Sequence, residues 1–460
     1  MGNQTTTQNS PETGAERTQQ INTHFQTLRE LPTPLKQSQC VLHKHELLIC
    51  GSSDQRACYS YHTLKNEYKF ICEYPSDVEL WGHCVVKLVD SNSNNDKDNN
   101  QITLLSFGGN EYKHTMVMRY VSVWSDDNNN DDENQNEMNK SKKFNQLNEF
   151  NQFNKSNNYN KWLPFTDNHN HPVIIGRDDD YIGARALIGG INNHLLFITY
   201  RDNNISLFDL NTFQFIKHDT LPTNNDIWFH CFVSKSENGQ VQEMMKTNQK
   251  NQQNQQNYQM LLFKEKTGLS IEYDEDNNTF QFCQLPVCDD IAPFYKYAYV
   301  CINDVILFFG GCNWNGNVVS KSVHKYSIRE NKWTIFQNTL SSPLKYCVAI
   351  LSEDNAYVHI IGGEDVEQDM STHMKTEVSE LLSEEEMINK KNKKWMKWWN
   401  QRERKDKTEI IQKFKTRSNE QFKLWLLNEC KWKNEITKDD IAYIRFSIDV
   451  FLGLVTFFLT

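Results

Sequence analysis

His169 and His171, followed by Asp178, Asp179 and Asp180, are the residue types in this chain that most directly suggest metal chemistry. Imidazole and carboxylate together suit a divalent cation. Their setting, TDNHNHPVIIGRDDDYIG, has no ligand spacing specific to any metal and reads as solvated loop residues ahead of a strand. Asp289 and Asp290 are the adjacent carboxylates for acid/base work, but two neighbours in a turn define no acid/base pair without geometry. The glycine-rich GGCNWNG beginning at Gly310 raises phosphate cradling, yet lacks the Lys-Ser/Thr of a P-loop and a following helix. GxSxG, HExxH and kinase-like motifs do not occur. Twelve cysteines run from Cys40 to Cys430 with no CxxC pair, so they read as small core hydrophobes in a reduced protein. The expectation is a binding protein with no catalytic, cofactor or metal residues.

The 59 acidic against 49 basic side chains, a net charge of −10, argue against a nucleic-acid binder, which carries a basic surface. The opening MGNQTTTQNSPETG is polar, with no apolar signal peptide, and a cytoplasmic location follows as the expectation. Gly2 and Thr6 match the N-myristoylation pattern, although one acyl chain alone anchors only marginally. Three segments, 90–100, 125–160 and 246–257, are almost pure Asn, Asp, Gln and Lys. They bury too little apolar surface to offset ordering entropy and read as disordered inserts in hairpin loops.

With the inserts set aside, a repeat emerges. Apolar strands end in glycine in ITLLSFGG at Gly108-Gly109, VILFFGG at Gly310-Gly311 and VHIIGG at Gly362-Gly363, with a shorter LLICG at Gly51. Glycine there permits φ above zero and close approach to a neighbouring strand. A second signature places two aromatics seven residues apart around a polar turn: Tyr61 and Tyr68, Phe208 and Phe215, Tyr273 and Phe280, Tyr326 and Trp333. Such pairs suit facing strands of a hairpin. Trp124 and Trp162 read as a further copy, with the second insert occupying its turn.

The series of apolar strand, Gly-Gly, aromatic third strand and aromatic fourth strand resembles the kelch repeat. The resemblance is strongest from Phe294 to Pro343 and is degenerate from Arg185 to Pro222 and from Trp228 to Pro286. In those two copies Tyr200-Arg201 and Lys264-Glu265 sit near the expected glycines. Kelch repeats form β-propellers, one blade per repeat, and the resemblance implies a protein-binding scaffold. Family members also serve as ubiquitin-ligase substrate adaptors, through a separate domain ahead of the propeller, or bind actin; here about two dozen residues precede it. Galactose oxidase, a copper enzyme, is built on similar blades, but no matching set of tyrosine, histidine and Tyr-Cys ligands can be picked out here.

The final Gly-Gly copy lacks an aromatic fourth strand, and HFQTLRELPTP near the N-terminus looks like the missing piece. Closing a ring this way removes open edges. The expectation is therefore an all-β, six-bladed propeller over 21–382, with seven blades the alternative count, after a disordered polar leader over 1–20. A C-terminal helical extension follows. Ser383 to Glu386 reads as a capping box, and 383–440 as a basic helical tail in which Trp395, Trp398 and Trp399 share one face. That face is expected to dock on the propeller or to touch a membrane surface or partner protein. The apolar run 441–460 is short for a bilayer span and contains Asp449.

Overall fold

The computed structural model describes residues 24–89, 101–109, 113–124, 158–176, 179–235, 258–383 and 385–387. The leader with Gly2, the inserts 90–100 and 246–257, most of 125–160, and the tail beyond 387 with Trp395, Trp398 and Trp399 lie outside these residues.

The described strands form six four-stranded antiparallel sheets. Blade 1 is β2 (Gln39–His43), β3 (Glu46–Cys50), β4 (Ala57–His62) and β5 (Glu67–Glu73). Blade 2 is β6 (Cys84–Leu88), β7 (Gln101–Gly108), β8 (His114–Val121) and β9 (Leu163–Pro164). Blade 3 follows with β10 (Arg185–Gly189), β11 (Leu195–Tyr200), β12 (Asn204–Asp209) and β13 (Gln214–Thr220). Blade 4 comprises β14 (Cys231–Ser234), β15 (Tyr258–Lys264), β16 (Thr267–Asp274) and β17 (Thr279–Gln284). Blade 5 comprises β18 (Ala298–Ile302), β19 (Val305–Phe309), β20 (Val323–Ser327) and β21 (Lys332–Ile335). The last blade combines β22 (Val348–Leu351), β23 (Tyr357–Ile361) and β24 (His373–Glu377) with β1 (Gln26–Thr27) from the other end of the chain.

This is a six-bladed propeller, so the seven-bladed alternative is set aside. Its closure is the N-terminal strand: Gln26 lies opposite Lys375, and Thr27 opposite Met374. Leu28 N–H then donates to His373 O at 2.8 Å and Leu31 N–H to Ser371 O at 3.0 Å. Phe25 inserts beside Phe309, ring centroids 6.3 Å apart.

Burial explains the strand chemistry. The second strand of each blade is covered on both faces by neighbouring blades, and β3, β11 and β19 are buried at every position. Continuous apolar runs such as LLFITY and VILFF are what such a position requires. The outer strands β13 and β17 face solvent on one side and alternate exposed with half-buried residues. Apolar cores consequently lie between blades, as where Val41, Leu48 and Cys58 of blade 1 meet Val85, Leu104 and Met118 of blade 2.

Each of the four aromatic pairs sits directly across a hairpin: Tyr61 opposite Tyr68, Phe208 opposite Phe215, Tyr273 opposite Phe280 and Tyr326 opposite Trp333. Their ring centroids are 4.9 to 5.1 Å apart. Trp124 and Trp162 differ from that expectation. The strand preceding Trp124 pairs with Leu163 and Pro164, not with Trp162. Trp162 stacks on Tyr74 at 4.4 Å in the core between blades 1 and 2, whereas the Trp124 indole N–H donates to Ser60 Oγ at 2.9 Å. The long insert separates the two strand ends, so the hairpin spacing seen elsewhere does not apply. Beyond blade 6, Ser383 Oγ accepts from Glu386 N–H at 3.3 Å and Glu386 Oε2 from Ser383 N–H at 2.7 Å, a reciprocal capping box.

The closing interface carries a buried histidine chain. Tyr68 OH bonds to His373 Nδ1, and His373 Nε2 meets His359 Nδ1 at 3.0 Å. Burial holds both imidazoles below their ordinary range, His359 at about 4. The unfolded chain takes up protons near pH 6.5 while the folded chain does not, so this stability is complete above pH 6.5 and declines as pH falls toward 4. His359→Gln is expected to remove about 2 kcal/mol of the stability lost between pH 7 and pH 5. Urea midpoints of both proteins at the two pH values measure it; parallel losses would contradict the assignment.

Candidate functional site

Each blade enters its innermost strand through a connection that lies at the same end as the turn after its second strand, because the two strands run antiparallel, Ala298 opposite Phe309 in blade 5. Two residues before each innermost strand stand Gln37, Gly82, Gly183, Phe229, Lys296 and Tyr346. All six have φ between +46° and +69°, the left-handed region. They form a ring around the propeller axis. Phe229 N–H donates to Gly183 O, Gly183 N–H to Gly82 O and Tyr346 N–H to Lys296 O, each at 2.8 Å. Gln37 N–H donates to Tyr346 O at 3.0 Å, and Gln37 Oε1 accepts from Gly82 N–H at 3.0 Å. A link from Lys296 to Phe229 is missing among the described residues, so the ring is open between blades 4 and 5.

Only a side-chain-free residue fits two of these positions. A Cβ on Gly82 would stand 2.4 Å from Gly183 N. Where side chains are present, they build the mouth. Phe229 and Tyr346 meet edge to face at 5.0 Å, and Lys296 Nζ lies over Tyr346, Tyr295 and Trp228 at 4.7, 4.5 and 5.1 Å. Around them the degenerate blades place cations where blades 2, 5 and 6 have glycine: Arg201 lies over Trp228 at 5.2 Å, and Lys264 over Tyr295 at 4.9 Å. Arg201 pairs with Asp180 at 2.6 Å and Asp226 at 3.3 Å. Lys264, with only 1% of its side chain exposed, pairs with Glu265 at 3.3 Å. Burial lowers its pKa and Glu265 partly restores it. Burial likewise lowers that of Lys296.

Beside this cluster lies an open hollow of about 320 Å³ lined by Asn224, Asn225, Asp226, Lys264, Glu265 and Trp314. Trp314 is 66% exposed and stacks toward Tyr295 at 6.1 Å.

The glycines singled out in the sequence lie at the same end of the propeller. Gly51, Gly108, Gly109, Gly310, Gly311, Gly362 and Gly363 all have positive φ, and Gly311 N–H donates to Leu344 O at 2.8 Å in the connection to the next blade. The histidine and aspartate cluster is reorganised. Asp180 belongs to Arg201, and Asp179 accepts from Tyr200 OH at 3.3 Å. His169 and His171 instead share a turn with Asp167, whose Oδ1 accepts both backbone N–H groups at 2.8 Å. Asp289 and Asp290 are exposed in a turn. The eleven described cysteines are free thiols. Sequence reasoning missed the mouth itself, although WGHC at Trp81 and WFHC at Trp228 repeat one pattern at equivalent blade positions.

Comparison with protein families matches a Kelch motif to residues 293–338, which span the four strands of blade 5. The six-bladed β-propeller thus carries a kelch motif in its fifth blade. The kelch blade that matches is the one whose Gly-Gly turn, Tyr326 and Trp333 are all present. Among solved structures, one titled "Structure of YjhT" is similar at 13% identity with a TM-score of 0.47, covering 76% of this chain and 97% of that one. The comparison with curated proteins returns no match. No helix among the described residues is long and apolar enough to cross a membrane.

Proposed function

We propose that this kelch propeller is a non-catalytic protein-interaction module whose binding face is the mouth. The observation that carries this reading is the packing of Trp228, Tyr295 and Trp314 with Arg201, Lys264 and Lys296 beside an open hollow. Trp, Tyr and Arg are the residues that dominate binding energy at interfaces, because they offer large rigid faces with polar edges. The kelch fold is commonly used for protein–protein contacts, and a ring of blades holds such residues rigidly.

Trp314 is the residue to test. Its exposure predicts that Trp314→Ala changes stability by no more than about 0.5 kcal/mol. Loss of an anchoring tryptophan at the centre of an interface weakens binding by about 2 kcal/mol or more, roughly thirtyfold. Quantitative capture from lysate by the full chain and by Trp314→Ala checks this. A partner retained by the first and lost by the second supports the mouth as binding face. Equal recovery by both places the contact elsewhere.

A further inference from the structure

Most cations at the mouth are already neutralised. Arg201 has Asp180 and Asp226, Lys264 has Glu265, Lys345 has Glu364 at 3.0 Å, and Lys36 has Asp54 and Asp369 at 3.2 and 3.1 Å. Lys296 differs. Among the described residues no carboxylate pairs with its ammonium, which is surrounded instead by the rings of Trp228, Tyr295 and Tyr346. Ring faces attract a cation but do not neutralise it.

Two further donors at the same place lack acceptors. The Trp228 indole Nε1 is buried and makes no hydrogen bond among the described residues. The Lys296 backbone N–H, at the break in the ring, also donates to nothing among the described residues. An ammonium, an indole N–H and an amide N–H are donors only, so their complement is a group that only accepts and carries negative charge. A carboxylate is such a group. Burial also disfavours the Lys296 ammonium, a cost that a bound anion relieves.

We infer that the gap between blades 4 and 5 at the mouth binds a carboxylate-bearing ligand, with Lys296 as its counter-ion and Trp228 and the Lys296 N–H as hydrogen-bond donors. The inference rests on the reading of the mouth as the binding face. Trp314, 66% exposed and backed by the buried Tyr295, offers a flat face to the carbon skeleton that carries the acid. The chain's net charge of −10 repels acids in general, so an acid retained here is held by the site and not by a diffuse field. Either an acidic side chain of a partner segment or a free organic acid presents this chemistry.

Calorimetric titration of the full chain with acetyl-hexaglutamate amide and with benzoate separates the two sources. Acetyl-hexaglutamine amide and benzamide are the neutral controls. The expected result is saturable binding of one acid, no binding of its neutral counterpart, and roughly ten- to a hundredfold weakening by Lys296→Met. Lys296→Arg, which keeps the charge, is expected to retain most of the affinity and shows that the mouth tolerates substitution there. Acid and neutral probes binding alike, unchanged affinity in Lys296→Met, or no acid binding at millimolar concentration would each overturn the inference. If no acid binds while Trp314→Ala still abolishes partner capture, the carboxylate site falls and the binding-face reading stands. Acid binding through Lys296 with capture unaffected by Trp314→Ala has the opposite meaning.

Discussion

Gly310→Val is expected to lower the unfolding free energy by about 4 kcal/mol or more, enough to misassemble blade 5. Two independent costs combine at this residue. Its φ of +69° is a conformation that a β-branched side chain avoids, at about 1–3 kcal/mol. A Cβ there would also stand 2.1 Å from Leu344 O, an overlap with backbone that no side-chain rotation relieves. Leu344 O is meanwhile the acceptor for Gly311 N–H at 2.8 Å, so pushing it aside breaks the bond that ties blade 5 to the connection into blade 6. Gly362 makes the equivalent approach to Leu35 O, 2.3 Å from its would-be Cβ. Gly311→Val should act in the same direction but less severely, since its would-be Cβ stands 2.9 Å from Tyr295 O. Urea denaturation followed by circular dichroism orders the three proteins. A Gly310→Val midpoint within about 1 kcal/mol of wild type would refute the close approach.

A chain starting at Gln37 is expected to lose cooperative folding. The deleted segment supplies β1, and it buries Phe25, Leu31 and Leu35. Removing large buried apolar side chains costs about 2–5 kcal/mol each, so three together approach the whole stability of a typical domain. Without β1, strand β24 becomes an open edge, able to pair with another copy. Lys36 and its pairs with Asp54 and Asp369 are lost as well. Size-exclusion chromatography and thermal melting compare the shortened and full chains. Aggregation or a broad, early transition is the expected result; a monomer melting at the wild-type temperature would mean that closure contributes little.

Both predictions concern features legible in the sequence, for a local physical reason. A glycine after five apolar residues reports a backbone conformation, and two aromatics around a polar turn report a hairpin. Each signal lies within about eight residues, so propensity and spacing suffice to read it. Trp124 and Trp162 show the limit. Thirty-seven intervening residues separate them, no local turn holds them together, and the two rings pack in different places.

What the sequence determined by itself is thus the blade: strand, glycine turn, aromatic hairpin, and the borrowed N-terminal strand that closes the ring. The mouth was decided by tertiary structure alone. Its ring positions are occupied by Gln, Gly, Gly, Phe, Lys and Tyr, which share no chemistry that a repeat search could recognise. What they share is a left-handed backbone and hydrogen bonds to neighbours as distant in sequence as Gln37 and Tyr346. Only the closed ring brings residues so far apart to one axis, and only there does a Lys296 ammonium with no carboxylate partner among the described residues, set among three aromatic rings, become visible.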